Sequence, residues 1–179
     1  CASAGAASDP ESGPASETPP AVSPSVVVFG ASGKTGKRCV TQASTAGARV
    51  IACTRTGDFK ATGLENAHLV EARAGDVSKA SDEALRSIVR GCDAVIFAAS
   101  ASPSGGTPQE VDKAGLVKVA AACVSENVKR LVIVSSGSVS KPLSPVYVFL
   151  NFFGGVMRAK VEGEDAVRAM YVARDGCDY

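Results

Sequence analysis

Three glycines stand at GxxGxxG spacing in Gly30-Ala31-Ser32-Gly33-Lys34-Thr35-Gly36. An apolar run, Ser25–Phe29 (SVVVF), leads into them, and a helix-compatible segment follows. In that position glycines permit a tight turn, a close approach of backbone to a pyrophosphate, and close helix packing. A helix N-terminus then turns free N–H groups and a positive dipole end toward phosphate. Gly30, Ser32, Gly33, Lys34, Thr35 and Gly36 are therefore candidate ligands of a dinucleotide. The alternative is a Gly-rich turn with no ligand. A Walker-type P-loop is excluded, because no Lys-Ser/Thr pair follows the last glycine.

A second chemical signal lies at Thr54-Arg55. Folds selective for NAD place an acid here, to bond the ribose 2′-hydroxyl. A guanidinium instead suits a 2′-phosphate, so Arg55 favours NADP(H), with NAD(H) open as a second possibility. Lys34 is a weaker candidate for the same charge, and a solvated arginine is the plain alternative.

These residues need a scaffold, and the patterning supplies one. Arg49–Thr54, His68–Arg73, Ala94–Ala98 and Arg130–Ser135 join Ser25–Phe29 as short apolar strands. Helices are expected up to a C-cap near Gly47, over Ser81–Arg90, from about Pro108 to Glu126, and from about Val156 to Ala173. Ser81 is the expected N-cap of the second, with Ala84, Leu85, Ile88 and Val89 on its buried face. Strands alternating with helices predict an α/β fold: a Rossmann-like, doubly wound parallel sheet of about five strands.

Composition narrows the classes. The 179 residues carry a net charge of +1, with 45% hydrophobic and 21% charged residues. That excludes a polybasic nucleic-acid binder. Aromatics are few and Trp is absent, so no stacking platform for single strands is expected. One His and six Cys without CxxC spacing leave no metal cage, so no metal site is assigned. The cysteines read as buried thiols in a reducing compartment. No segment is long enough to span a bilayer, although Val146–Met157, broken by Asn151, is apolar enough to be buried or interfacial.

Residues 1–24 are different material. Five of the nine prolines fall there, among Ala and Ser. This segment is expected to be disordered or held by a partner, and reads as a linker left after removal of an organelle targeting peptide. Residues 25–179 form the folded domain.

Taken together, the glycine loop, Arg55, Gly75-Asp76-Val77, Ala98-Ala99-Ser100, Val111-Asp112-x-x-Gly115 and LVIVSS resemble the NmrA-like group of atypical short-chain dehydrogenase/reductases. The resemblance implies that Asp76 and Val77 lie beside the adenine, and that Ala98, Ala99 and Ser100 line the cofactor cleft. It implies a catalytic Lys at Lys160 that also binds the cofactor by holding the nicotinamide ribose, a polarising serine at Ser135 or Ser136, and a Tyr four residues before the Lys. That place holds Val156, which has no proton to give, while Tyr147 is followed by Asn151 where a Lys would stand. The alternative for Lys160 is a surface lysine beside Glu162 and Glu164. Leu150–Lys160 is most similar to plastid members, some of which bind ferredoxin–NADP reductase or assist assembly of photosynthetic complexes.

The expectation is an NADP(H)-binding, non-catalytic or weakly catalytic accessory or assembly subunit of an organellar complex. Chloroplast is the first address and the mitochondrial matrix the second. Protein partners are expected at residues 1–24, at Val146–Met157 or at the edge of the fifth strand, and membrane-surface association is compatible with the apolar stretch. The alternative is an NADPH-dependent reductase or isomerase with a non-standard proton donor, and a cofactor-sensing regulator is a third reading. Family members continue past the equivalent of Cys177-Asp178-Tyr179 into a sixth strand, so the domain is expected to lack most of a substrate-binding portion.

Overall fold

β-Branched and aromatic side chains dominate the first strand, β1 (Ser25–Phe29), and Val27, Val28 and Phe29 are fully buried. Such a strand must be covered on both faces. The computed structural model, which describes residues 23–103, 105–137, 139–140, 144–152 and 154–172, shows how. β1 is central in a five-stranded parallel sheet of order β3-β2-β1-β4-β5. Its neighbours are β2 (Arg49–Thr54) and β4 (Ala94–Phe97), and the edges are β3 (Val70–Ala74) and β5 (Arg130–Ile133).

Two apolar layers flank the sheet. On one face α1 (Lys34–Thr45) packs Val40 against Val28, Val50 and Ala52. On the other, α2 (Asp82–Val89), α3 (Leu116–Ser125) and α5 (Val156–Val172) bury Leu85, Val119 and Val167 with Val27, Phe29, Val95 and Phe97. The doubly wound α/β architecture is as expected. Burial pushes the Cys53 and Cys123 thiols up to about 12, so both behave as small hydrophobes at neutral pH.

Local chemistry sets the boundaries. The Ser81 hydroxyl accepts from the Ala84 amide and caps α2. Gly47, at φ +82°, ends α1. Four details differ from expectation. The third strand begins at Val70 because Ala67–Leu69 forms a 3₁₀ turn. Ala84 is exposed, so α2 buries only Leu85, Ile88 and Val89. The helix after Pro108 opens as a π-helix, Gln109–Gly115, before α3. The wider turn carries Val111, Asp112 and Gly115 inward, and all three are buried.

The fourth detail is an additional helix, α4 (Pro145–Phe152), within the apolar stretch. Ser144 Oγ accepts from the Tyr147 amide at its start, and Gly154 and Gly155 at φ +81° and +72° end it. Asn151, which breaks the apolar run, accepts the Arg158 amide through Oδ1 in the first turn of α5. Val146, Val148, Phe149 and Phe152 are exposed, so this helix is not a core segment. No described helix is long and apolar enough to cross a membrane. Residues 1–22 and 173–179, with Cys1, Cys177 and the expected end of the last helix, lie outside the described residues.

Helices α2 and α3 are tied by one carboxylate. Arg90 and Arg86 both donate to Glu126, at 2.9 and 3.0 Å, and hold its carboxyl down to about 2. A depressed carboxyl stabilises the fold above its ordinary pKa, and that contribution is lost as pH falls through the folded value. Glu126→Gln is therefore expected to lower the neutral-pH melting temperature. Between pH 4.5 and about 2 the wild type should lose stability more steeply than the variant. Parallel pH–melting curves would contradict the assignment.

Candidate functional site

The chain leaves β1 through a turn that only glycine satisfies. Gly30 sits at φ +77°, and a Cβ there would stand 2.6 Å from the Ala99 amide nitrogen on the loop after β4. The Gly30 and Ala31 amides both donate to the Cys53 carbonyl at the end of β2. A Cβ on Gly36 would overlap the Gly30 carbonyl oxygen, so α1 can approach the turn only because residue 36 has no side chain. This is the switch point of the sheet, where β1 and β4 lie side by side while their chains leave toward opposite edges.

The start of α1 is open to an anion. Gly33, at its N-cap, has no capping side chain, and the first turn has no acid. Among the described residues the amides of Ser32, Lys34, Thr35 and Gly36 meet no protein acceptor, while Lys37 N is the first to bond back, to Gly33 O at 2.9 Å. Four unsatisfied donors at a helix N-terminus fit a pyrophosphate.

Above this loop lies a cleft of about 290 Å³. Gly30, Ser32, Gly33, Arg55, Val77, Ala98, Ala99 and Ser100, all expected from the sequence, line it. Thr54, Gly75, Ser102, Gly105 and Val111 complete the wall. Lys34 and Thr35 are exposed on the first turn of α1, and Gly36 is buried beneath the loop. A polar recess lined by Ser32, Thr54, Arg55, Thr56, Asp58, Asp76 and Lys79 adjoins the cleft, so Arg55 borders both spaces. Asp76 is in this recess. Its partial burial raises its pKa, but bonds from the Ser78 hydroxyl (2.6 Å) and amide (3.0 Å) outweigh that and hold its carboxyl below the ordinary value.

The residues expected to be catalytic do not line this cleft. Lys160 does not line the cleft, nor is it a surface lysine paired with Glu162 or Glu164. Its ammonium, on a side chain only 14% exposed, bonds Oδ1 of fully buried Asp112 at 2.8 Å. Asp112 also accepts from Ser100 Oγ at 2.7 Å and from the Ala101 amide at 2.8 Å. The ammonium and the Ser100 hydroxyl thus share Oδ1 of Asp112, which ties Lys160 to the cleft wall. Ser135 lies in a groove beside β5 and donates to Glu164 Oε1 at 2.5 Å. Ser136 and Tyr147 are half-buried outside the cleft wall, and Val156 begins α5. Among the described residues no cluster of His, Cys, Asp and Glu could hold a metal.

Residues 30–179 match the model of a family described as NAD(P)H-binding. The chain belongs to this NAD(P)H-binding family. As a member it binds a nicotinamide cofactor, and the glycine turn, the open amides and the cleft fit one. It is 32% identical over 161 residues to an uncharacterised chloroplastic protein of Arabidopsis thaliana, covering 86% of this chain and 56% of that protein. An oxidoreductase of Lactococcus lactis shares the fold at TM-score 0.65 and 22% identity, over 78% of this chain and 61% of its own. An enzyme of Bordetella bronchiseptica solved with NAD+ does so at TM-score 0.66 and 15% identity, over 84% and 54%. This NAD(P)H-binding chain spans about half the length of the curated relatives it matches.

Ser102, Gly105 and the supporting role of Asp112 escaped the sequence reading. The Gly105-Gly106 pair after the fourth strand was the only visible signal of the first two. Removing Lys160 leaves the Asp112 charge buried and only partly bonded, which costs about 3 kcal/mol. Lys160→Met is expected to lose that much in urea denaturation, and Lys160→Met with Asp112→Leu to regain part of it. A single variant as stable as wild type would show the pair to be dispensable.

Proposed function

We propose that this chain is an NADP(H)-binding subunit that does not perform hydride chemistry through a Tyr–Lys pair. Bound nicotinamide supplies a hydride donor or acceptor. Proton transfer beside it would need an acid or base at the cleft. The observation that carries the reading is the Lys160 ammonium, which is bonded to buried Asp112. Val156, one turn earlier, offers no proton. Cofactor binding is served by other residues: Gly30, Gly33 and Gly36 for the pyrophosphate, Arg55 for a 2′-phosphate, and Val77, Ala98 and Ala99 for the apolar surfaces of the nucleotide.

The subunit docks on a protein partner of a plastid complex. The exposed apolar face of α4, where Phe152 is 85% exposed, supports docking, because such faces are seldom left to water. The Ala/Ser/Pro-rich start and the chloroplastic name of the Arabidopsis relative support the address.

NADPH and NADH titrations test the cofactor assignment. A charge-assisted bond to a phosphate contributes about 1.5–3 kcal/mol, so Arg55→Ala should weaken NADPH by about ten- to a hundredfold and NADH little. Equal losses would refute the role of Arg55. NADPH oxidation across a panel of quinones and aldehydes is expected to stay at background. Turnover well above background that Lys160→Ala abolishes, with NADPH binding retained, would favour the reductase reading instead.

A further inference from the structure

Two glycines follow one another on the loop after β4, for different reasons. Gly106 has φ +76°, a conformation that by itself favours glycine. Gly105 lies outside that region, so left-handed strain does not reserve its place for glycine. What occupies the place of its side chain is Arg55. A methyl group on Gly105 would overlap Nη1 of that arginine, stand 2.5 Å from Cζ and lie 3.2 Å from Nε. The guanidinium therefore rests against a bare Cα, where it borders both the cleft and the polar recess.

The loop carrying this seat is anchored on both sides. The Ala101 amide donates to Asp112 Oδ2 at 2.8 Å. The Gly105 amide donates to the Ser102 carbonyl at 2.9 Å, and Ser102 and Gly105 form an antiparallel bridge. Beyond them, the Thr107 amide and hydroxyl donate to Glu110 Oε2 at 2.8 and 3.0 Å, and the Glu110 amide donates back to Thr107 Oγ1 at 3.3 Å. That reciprocal cap fixes the start of the π-helix. A free arginine loses much rotamer freedom on taking up a ligand, whereas a seated one has lost part of it already.

We propose that Gly105 is a specificity-determining residue of the cofactor cleft. Its missing side chain seats the Arg55 guanidinium in position to meet the 2′-phosphate of NADP(H). This rests on the reading of Arg55 as the 2′-phosphate ligand. Gly105 acts through Arg55, so its replacement should discriminate between the two cofactors.

The test uses Gly105→Ala, Arg55→Ala and the double variant, each titrated with NADPH and with NADH by the fluorescence of the cofactor. The chain has no Trp to add background. Gly105→Ala is expected to weaken NADPH about tenfold and NADH less than about twofold, and in the Arg55→Ala background to add nothing, as expected of coupled neighbours. The displaced group is the end of a flexible side chain, so melting temperatures should stay close to wild type. If Gly105→Ala does melt early, Arg55→Ala must restore it, since the clash is then gone. Gly105→Ala that binds NADPH as wild type, or weakens both cofactors alike, or adds its full loss to that of Arg55→Ala, overturns the seat. An early melt that Arg55→Ala fails to restore does the same. If Arg55→Ala is selective while Gly105→Ala is silent, only the seat falls. If Arg55→Ala weakens both cofactors equally, the reading of Arg55 falls and the seat with it.

Discussion

The Asp112 carboxylate joins the two halves of this molecule. It is fully buried, and it is bonded at once to the Lys160 ammonium, the Ser100 hydroxyl and the Ala101 amide. A charge in that position is tolerated only when its lone pairs are used. The requirement draws α5, the π-helical opening of α3 and the loop after β4 to a common point. The cleft inherits its shape from this junction, because Ser100 forms part of its wall. Gly163 permits the approach, since a Cβ there would stand 2.7 Å from the Asp112 carbonyl oxygen.

The glycine turn and the residues expected to be catalytic lie on different parts of the fold. At the glycine turn the groups open to an anion are four backbone amides and the dipole end of α1. Backbone donors are insensitive to most substitutions. Of the residues expected to be catalytic, Lys160 is bonded to Asp112 and Ser135 to Glu164. The two edges of the sheet differ as well. β3 carries Glu71 and Arg73, bonded to each other at 2.7 Å. β5 pairs only with β4 among the described residues and leaves Val132 half exposed.

Much of this was readable from the amino acids. Apolar runs of four to six residues alternating with helical segments specify a parallel sheet, and all five strands are found. The GxxGxxG run specifies the turn after β1 and the open start of α1 because both are local: a turn, a helix start and the absence of side chains. Ser81 capping α2 and Gly47 ending α1 are local in the same sense. The apolar stretch before Gly154 does not announce itself as a helix. Its Ser-Pro start carries the usual signature, yet Val146, Val148, Phe149 and Phe152 are exposed rather than turned to the core, so the stretch lacks the periodicity that marks a buried helix.

The sequence by itself determined the strands, the glycine turn and the identity of Arg55, because each depends on bonds and sterics within a few residues. Tertiary structure alone decided what Lys160 and Gly105 meet. Lys160 meets Asp112 across a separation of 48 positions, where no spacing rule applies. Gly105 meets Arg55 across the mouth of the cleft, and only the folded chain shows that the space a side chain would fill already holds a guanidinium.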